Sequence, residues 1–363
     1  MRFFLNRLSK AVLTIIVPGV LALSPQLAVA DELGDLNERL LKIEKSQSEL
    51  YHTLEEKKEP GLKSMISDRI RFGGLLEVEA YVDGNSSDIT LATVELAVDA
   101  EINERVRAHV LFLWEEDDTD PVALDEGTIT IDLSKGVSLT AGKMYLPFGV
   151  FESHFISDPL TLELGETNET ALLLSYSAGP LGLSAGAFRG SVAEQGEEDD
   201  VRDYVLSVTY APNDDIVLSA FYLSDIADTD AGLPVANAPF MADTIAGWGV
   251  FAGVTRGAVQ VSAEIISAVK RFDPADLASA NAGGDKPMAY NLEVAYDISD
   301  KLEMAAKYEG SDDFAGFPKR QYGVDASYAL FENVSASIEF LHGEFADDAG
   351  DRDVVTVQLA VEF

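Results

Sequence analysis

The residues with the most capacity for chemistry gather in the stretch 140–170, T-A-G-K-M-Y-L-P-F-G-V-F-E-S-H-F-I-S-D-P-L-T-L-E-L-G-E-T-N-E-T. Lys143, Glu152, His154, Asp158, Glu163 and Glu166 are set there among Met144, Leu146, Phe148, Val150, Phe151, Phe155, Ile156, Leu160, Leu162 and Leu164. A base, a histidine and several carboxylates can make polar contacts to a solute, while the apolar side chains need a surface to bury against. Catalytic patterns are thin by comparison. Gly182-Leu183-Ser184-Ala185-Gly186 matches G-x-S-x-G, but a nucleophile elbow requires a strand-to-helix turn, and this serine falls inside an alternating stretch just after Gly179-Pro180. The histidines His52, His109, His154 and His342 show no metal spacing. Cysteine is absent, which removes disulfides and thiolate metal sites. No cofactor or metal is therefore expected, and an enzyme would need acid, base and nucleophile brought together from distant strands.

The elements that must position these residues alternate with period two. Tyr290, Leu292, Val294 and Tyr296 interleave with Asn291, Glu293, Ala295 and Asp297, and Leu302, Met304, Ala306 and Tyr308 with Lys301, Glu303, Ala305 and Lys307. One face is apolar and the other charged or small, the signature of a transmembrane β-barrel with lipid outside and water inside. Such segments fall at about 70–82, 88–100, 104–115, 124–133, 136–145, 169–178, 181–191, 201–211, 214–225, 244–255, 257–269, 287–297, 300–310, 319–330, 332–344 and 351–363. The expected fold is all-β, an antiparallel barrel of about sixteen strands over 70–363. Connections after even-numbered segments are tight, as at Ser134-Lys135, Gly179-Pro180, Arg256-Gly257 and Glu332-Asn333, whereas most of the others are longer. Short periplasmic turns and long outer loops alternate in this way. Tyr176, Tyr210, Tyr296 and Tyr328 precede tight turns, and Trp114, Tyr145, Tyr222, Trp248, Tyr290, Tyr308, Tyr322 and Phe340 sit at the opposite strand ends. Two interfacial girdles are implied.

The inward phase carries Glu77, Glu79, Glu95, Asp99, Glu264, Glu293, Glu303, Asp325 and Glu339 against Arg71, Arg105, Arg107, Lys301 and Lys307. Of these, Glu77, Glu79, Arg105, Arg107, Glu293, Glu303 and Lys307 are the candidate pore-lining residues. A sixteen-stranded barrel leaves an aqueous channel whose charge biases what passes, and this balance favours cations or neutral solutes. The stretch 140–170 is then expected to fold into the lumen as the constriction, because unstructured loops of that length are uncommon and usually functional.

Ahead of the barrel, Arg2, Arg7 and Lys10, the apolar run 11–23 and Ala28-Val29-Ala30 read as a signal peptide over 1–30. Leu33, Leu36, Leu40, Ile43, Gln47, Leu50 and Leu54 alternate spacings of three and four, a heptad seam over 31–58 with a polar residue at an a position. A short periplasmic coiled coil is expected, joining copies of the chain as a homo-oligomer such as a trimer, or lying as a single helix against barrel or cell wall. Residues 59–69 serve as linker after Glu59-Pro60-Gly61. The formal charge of the 363-residue chain is −37, which repels nucleic acid and attracts cations. Acidic runs at 115–120, 197–200, 225–230, 312–313 and 347–348 fall on outer loops, as solvated charge or as sites for the divalent cations that bridge lipopolysaccharide.

The chain ends on Val355, Val357, Leu359, Val361 and Phe363, with Phe363 placed like the signal read by the outer-membrane barrel assembly machinery. Taken with G-L-L-E-V-E-A at 74–80, D-I-T-L-A-T-V-E-L at 88–96, D-E-G-T-I-T at 125–130 and the run 142–167, the sequence resembles the LbtU-type siderophore porins. The resemblance implies a plugless barrel in the outer membrane of a Gram-negative cell, associated in that family with uptake of a ferric siderophore. Two readings follow. The chain is a porin for small polar solutes, a ferric siderophore among them, or it is a structural protein that contacts the cell wall through its coil.

Overall fold

Alternation of this kind lets one sheet satisfy water and lipid at once, and closing the sheet removes the unpaired edges that lipid cannot tolerate. In the computed structural model, residues 69–363 are described apart from 117–118, 120, 195, 197–199, 235–239, 278–282 and 347–349. The signal peptide 1–30, the coil 31–58 and all but the last residue of the linker 59–69 lie outside the described residues, as do parts of the acidic runs 115–120 and 197–200 and all of 347–348.

The strands in chain order are β1 (Ile70–Val82), β2 (Ser87–Asn103), β3 (Val106–Trp114), β4 (Ala123–Ser134), β5 (Val137–Tyr145), β6 (Asn168–Ala178), β7 (Leu181–Phe188), β8 (Ala193–Glu194), β9 (Asp203–Asn213), β10 (Ile216–Leu223), β11 (Phe240–Met241), β12 (Gly247–Arg256), β13 (Val259–Ala268), β14 (Met288–Ser299), β15 (Leu302–Asp312), β16 (Arg320–Phe331), β17 (Val334–Glu344) and β18 (Asp351–Glu362). All but β8 and β11 form one closed barrel of sixteen strands, each paired with its neighbours in the chain and β18 paired with β1. From β1 to β18 the barrel follows chain order, whereas β8 and β11 make a small parallel sheet in the outer loops. The seam joins Glu77 to Ala360 and Val78 to Leu359, and Gly74 and Phe363 exchange backbone hydrogen bonds of 2.8 and 3.1 Å.

The register separates the two faces. Leu172, Leu174 and Tyr176 on β6, Leu206, Val208 and Tyr210 on β9, and Leu292, Val294 and Tyr296 on β14 are exposed on the outer face. Rings at the outer strand ends touch across strands, with Tyr290 and Tyr308 centroids 5.8 Å apart and Tyr204 and Tyr222 5.9 Å apart. On the inner face the two halves of the barrel differ. Glu264, Asn291, Glu293, Glu303, Lys307, Glu309, Asp325 and Glu339, from β13 to β17, are buried although they point toward the axis. Glu77, Glu79, Glu95 and Asp99 on β1 and β2 stay partly open. Something covers one wall of the lumen and leaves the other bare.

Candidate functional site

The cover is the β5–β6 connection, residues 146–167. Its neck is closed by Leu146 N–H donating to the Thr167 carbonyl at 2.8 Å. Just before the neck, Gly142 takes φ +137°, and a Cβ there would lie 2.0 Å from the Gly127 carbonyl oxygen, so this kink in β5 needs glycine. Inside the barrel the loop turns an apolar side to β7–β13. Phe148, Leu160 and Leu164 are buried in one cluster with Phe188, Val205, Phe221, Phe251 and Ile266. Gly165 is pressed so close that an added Cβ would meet Ile266 Cδ1 at 2.4 Å. Burying each of these large side chains contributes roughly 1.5–3 kcal/mol. A short helix, α1 (Leu160–Gly165), forms at the end of the loop.

The loop's polar side is held by five wall glutamates. Glu264 accepts from Val150 N–H at 2.8 Å, Phe151 N–H at 3.1 Å and the Thr161 hydroxyl at 3.0 Å. Glu293 accepts from the Ser153 hydroxyl and from His154 N–H, both at 2.8 Å. Glu303 bonds His154 Nδ1 at 3.0 Å. Glu339 takes Ser157 N–H at 3.0 Å and its hydroxyl at 2.6 Å, and Glu309 takes Leu160 N–H at 2.9 Å. These bonds matter because 146–167 has little regular structure of its own, and buried N–H groups without acceptors are costly. One buried cation answers the glutamates. Lys307 Nζ lies 3.3 Å from Glu309 and 3.9 Å from Glu293, donates to the Ser157 carbonyl at 3.3 Å, and sits 4.5 Å from the centroid of the Phe155 ring.

The open lumen lies between the loop and the wall of β1–β5, and acids line both sides. From the loop come Asp158, exposed, with Glu163 and Glu166, half-buried; from the wall come Glu77, Glu79, Glu95 and Glu126. Three basic side chains of that wall are already engaged. Arg71 pairs with Glu101 at 2.7 Å, Arg107 with Asp132 at 2.7 Å, and His109 Nδ1 with Asp99 at 2.9 Å. Crowding leaves its mark on the loop acids. Although Asp158 borders the lumen, the protein packed around it strips water from its carboxyl and pushes it up, Lys307 partly offsets this, and Glu339 adds to it. Glu163 is raised by burial and then by Asp158 and Glu309. Glu166 is pushed up to about 7, by burial first and then by Asp230, Asp158, Asp125 and Glu163.

The expected residues thus divide. Asp158, Glu163 and Glu166 face the open passage, and Glu77 and Glu79 face them from β1. Glu152 is exposed on the loop, and His154 is tucked against β15. Lys143 is directed elsewhere: it sits opposite Gly127 in the β4–β5 register and its Nζ donates to the Leu124 carbonyl at 3.0 Å. Arg105 occupies the exposed β2–β3 turn, with its N–H on Asn103 Oδ1 at 2.9 Å, so it lies at the end of the barrel and not along its wall. Glu293, Glu303 and Lys307 point inward as the alternation requires but do not border the open passage, because the loop lies on them. Alternation does not reveal the anchoring role of Glu264, Glu309 and Glu339; its trace in the sequence is the run of inward acids on successive strands, with Lys301 and Lys307 the bases among them. Ser184 of the G-x-S-x-G match lies mid-strand in β7, its hydroxyl 3.1 Å from that of Ser175, with no turn or helix after it.

No described protein family matches the chain. It is 24% identical over 312 residues to a UPF0422 protein of Legionella pneumophila (strain Lens), covering 74% of this chain and 58% of that protein. It is 25% identical over 318 residues to a UPF0422 protein of Coxiella burnetii (strain RSA 493), covering 81% of this chain and 68% of that one. The chain therefore spans less than two thirds of the Legionella relative. Among solved structures it is similar to an anion-selective porin from Comamonas acidovorans, with a TM-score of 0.62 and 12% identity over 81% of this chain and 99% of that one. It is also similar to the outer-membrane channel DcaP of Acinetobacter baumannii, with a TM-score of 0.59 and 15% identity over 81% and 97%. At these identities the likeness is one of fold, and the fold is that of the sixteen-stranded outer-membrane porins.

Proposed function

We propose that the chain is an outer-membrane porin that passes small polar solutes and prefers cations, with residues 140–170 as its constriction. The observation that carries this reading is the acid on both sides of the open lumen, Asp158, Glu163 and Glu166 facing Glu77, Glu79 and Glu95, while Arg71, Arg107 and His109 are each held by an acidic partner of their own. Rings of one sign bias conduction toward the opposite sign. The fold leaves the sign open, since one structural neighbour is described as anion-selective, so selectivity has to be argued from this chain's own charges. The exposed apolar face and its rings support contact with lipid and lipopolysaccharide, and the resemblance to LbtU-type porins supports a ferric siderophore as one candidate solute. The coil 31–58 supports assembly into a homo-oligomer such as a trimer.

The test is conductance of the refolded protein in a planar bilayer under a salt gradient. Stepwise conductance with a reversal potential of the cation-selective sign is expected at neutral pH. Glu163→Gln with Glu166→Gln should move that potential toward zero. Block by a ferric siderophore added to one side would narrow the solute. A folded barrel that conducts nothing would remove the channel reading and favour the structural one.

A further inference from the structure

The five glutamates beneath the loop share one property. Every one of their carboxylate oxygens receives a donor. Glu264 gives Oε1 to Val150 N–H and Oε2 to Phe151 N–H and the Thr161 hydroxyl. Glu293 gives Oε1 to the Ser153 hydroxyl and the Asn291 amide, and Oε2 to His154 N–H. Glu303 has Oε1 3.0 Å from His154 Nδ1, which donates to it in the Nδ1–H tautomer, and gives Oε2 to the Gln260 amide. Glu309 gives Oε2 to Leu160 N–H and Oε1 to the Gln321 amide. Glu339 meets Ser157 through both oxygens. An ionised carboxylate only accepts, whereas a protonated one carries an O–H that must itself find an acceptor. Backbone N–H groups cannot turn round to provide one. A proton on Glu264 Oε1 would set a donor against Val150 N–H, and one on Oε2 would weaken the bond from Phe151 N–H and reverse that from the Thr161 hydroxyl, where the loop is already bent through Phe151 at φ +54°.

We infer that docking of residues 146–167 is coupled to the ionisation of these five glutamates, so that acid releases the loop from the β13–β17 wall and widens the pore. The surrounding charges set the sign and the range. Lys307 and His154 favour the ionised ladder. Opposing it are Asp325, which pairs in register with Glu339 and has one buried oxygen without a partner, and the loop acids Glu152, Asp158 and Glu163. The ladder is lost when the glutamates themselves take protons. The effect on flow rests on the channel reading, but the docking does not.

The experiment uses the full chain in proteoliposomes and two readouts. The first is hydrogen exchange at the amides of Val150, Phe151, His154, Ser157 and Leu160, corrected for intrinsic rates and compared with wall amides such as Val294. The second is entry of an uncharged trisaccharide, which ignores changes of charge along the passage. Between pH 7 and about 4.5, loop protection should fall by about tenfold or more with wall amides unchanged, and sugar entry should rise about twofold or more. Glu264→Gln with Glu339→Gln should show the acid values already at pH 7 and respond little to further acid. Loop protection that tracks the wall amides at every pH would overturn the inference, as would a folded double variant protected like the wild type. If the double variant fails to fold, Glu339→Gln alone and the wild-type pH series decide. A barrel that admits no sugar at either pH would instead count against the channel, with exchange still deciding the latch.

Discussion

Phe148 and Glu264 show how single side chains hold an irregular segment inside a water-filled barrel. Phe148 is fully buried, and its ring lies over Gly247, where a Cβ would come within 2.6 Å of it. Phe148→Ala should leave a cavity on which the β-wall cannot collapse, and large-to-small changes of this kind cost about 3–5 kcal/mol. The expected outcome is a lower denaturation midpoint for a near-normal barrel, read by denaturant titration in detergent micelles. Much at this scale was legible. The acids of the passage were nameable because alternation fixes which side chains point inward, and Asp158, Glu163 and Glu166 stand out by charge. What alternation cannot say is whether an inward side chain meets water or another segment. That is why Glu293, Glu303 and Lys307 read as pore-lining, although the loop lies on them.

Elements divide the same way. The strands follow from a local rule, period two with rings at the ends and tight turns after even-numbered members, so their bounds emerge within a few residues of the sequence expectation. The loop follows no local rule. Its amides are satisfied by carboxylates more than a hundred residues away, as in the Phe151 N–H to Glu264 bond across 113 positions, and α1 has no capping side chain of its own. Removing 148–159 should raise single-channel conductance and also raise cation preference, because Glu264, Glu293 and Glu339 would then face water. Unchanged conductance would take the loop out of the conducting path.

For the whole molecule the seam is the decisive contact, since an open sheet of sixteen strands would expose two edges to lipid. Phe363 belongs to that seam: besides its backbone bonds to Gly74, its ring fills the space where a Cβ on residue 74 would come within 2.5 Å of it. Deleting Phe363 should lower the heat-modifiable, folded fraction, and an unaltered fraction would count against a role in assembly.

The long reach of the loop's bonds also orders events in time. Ser157 and Glu339 are 182 residues apart, and β13–β17 are among the last strands to be made. Contacts that span so much chain form late, because the intervening loop must close first. The seam spans more chain still, with Glu77 opposite Ala360, so by the same measure the loop reaches its wall before the circumference closes, and the passage is narrowed while the barrel is being completed.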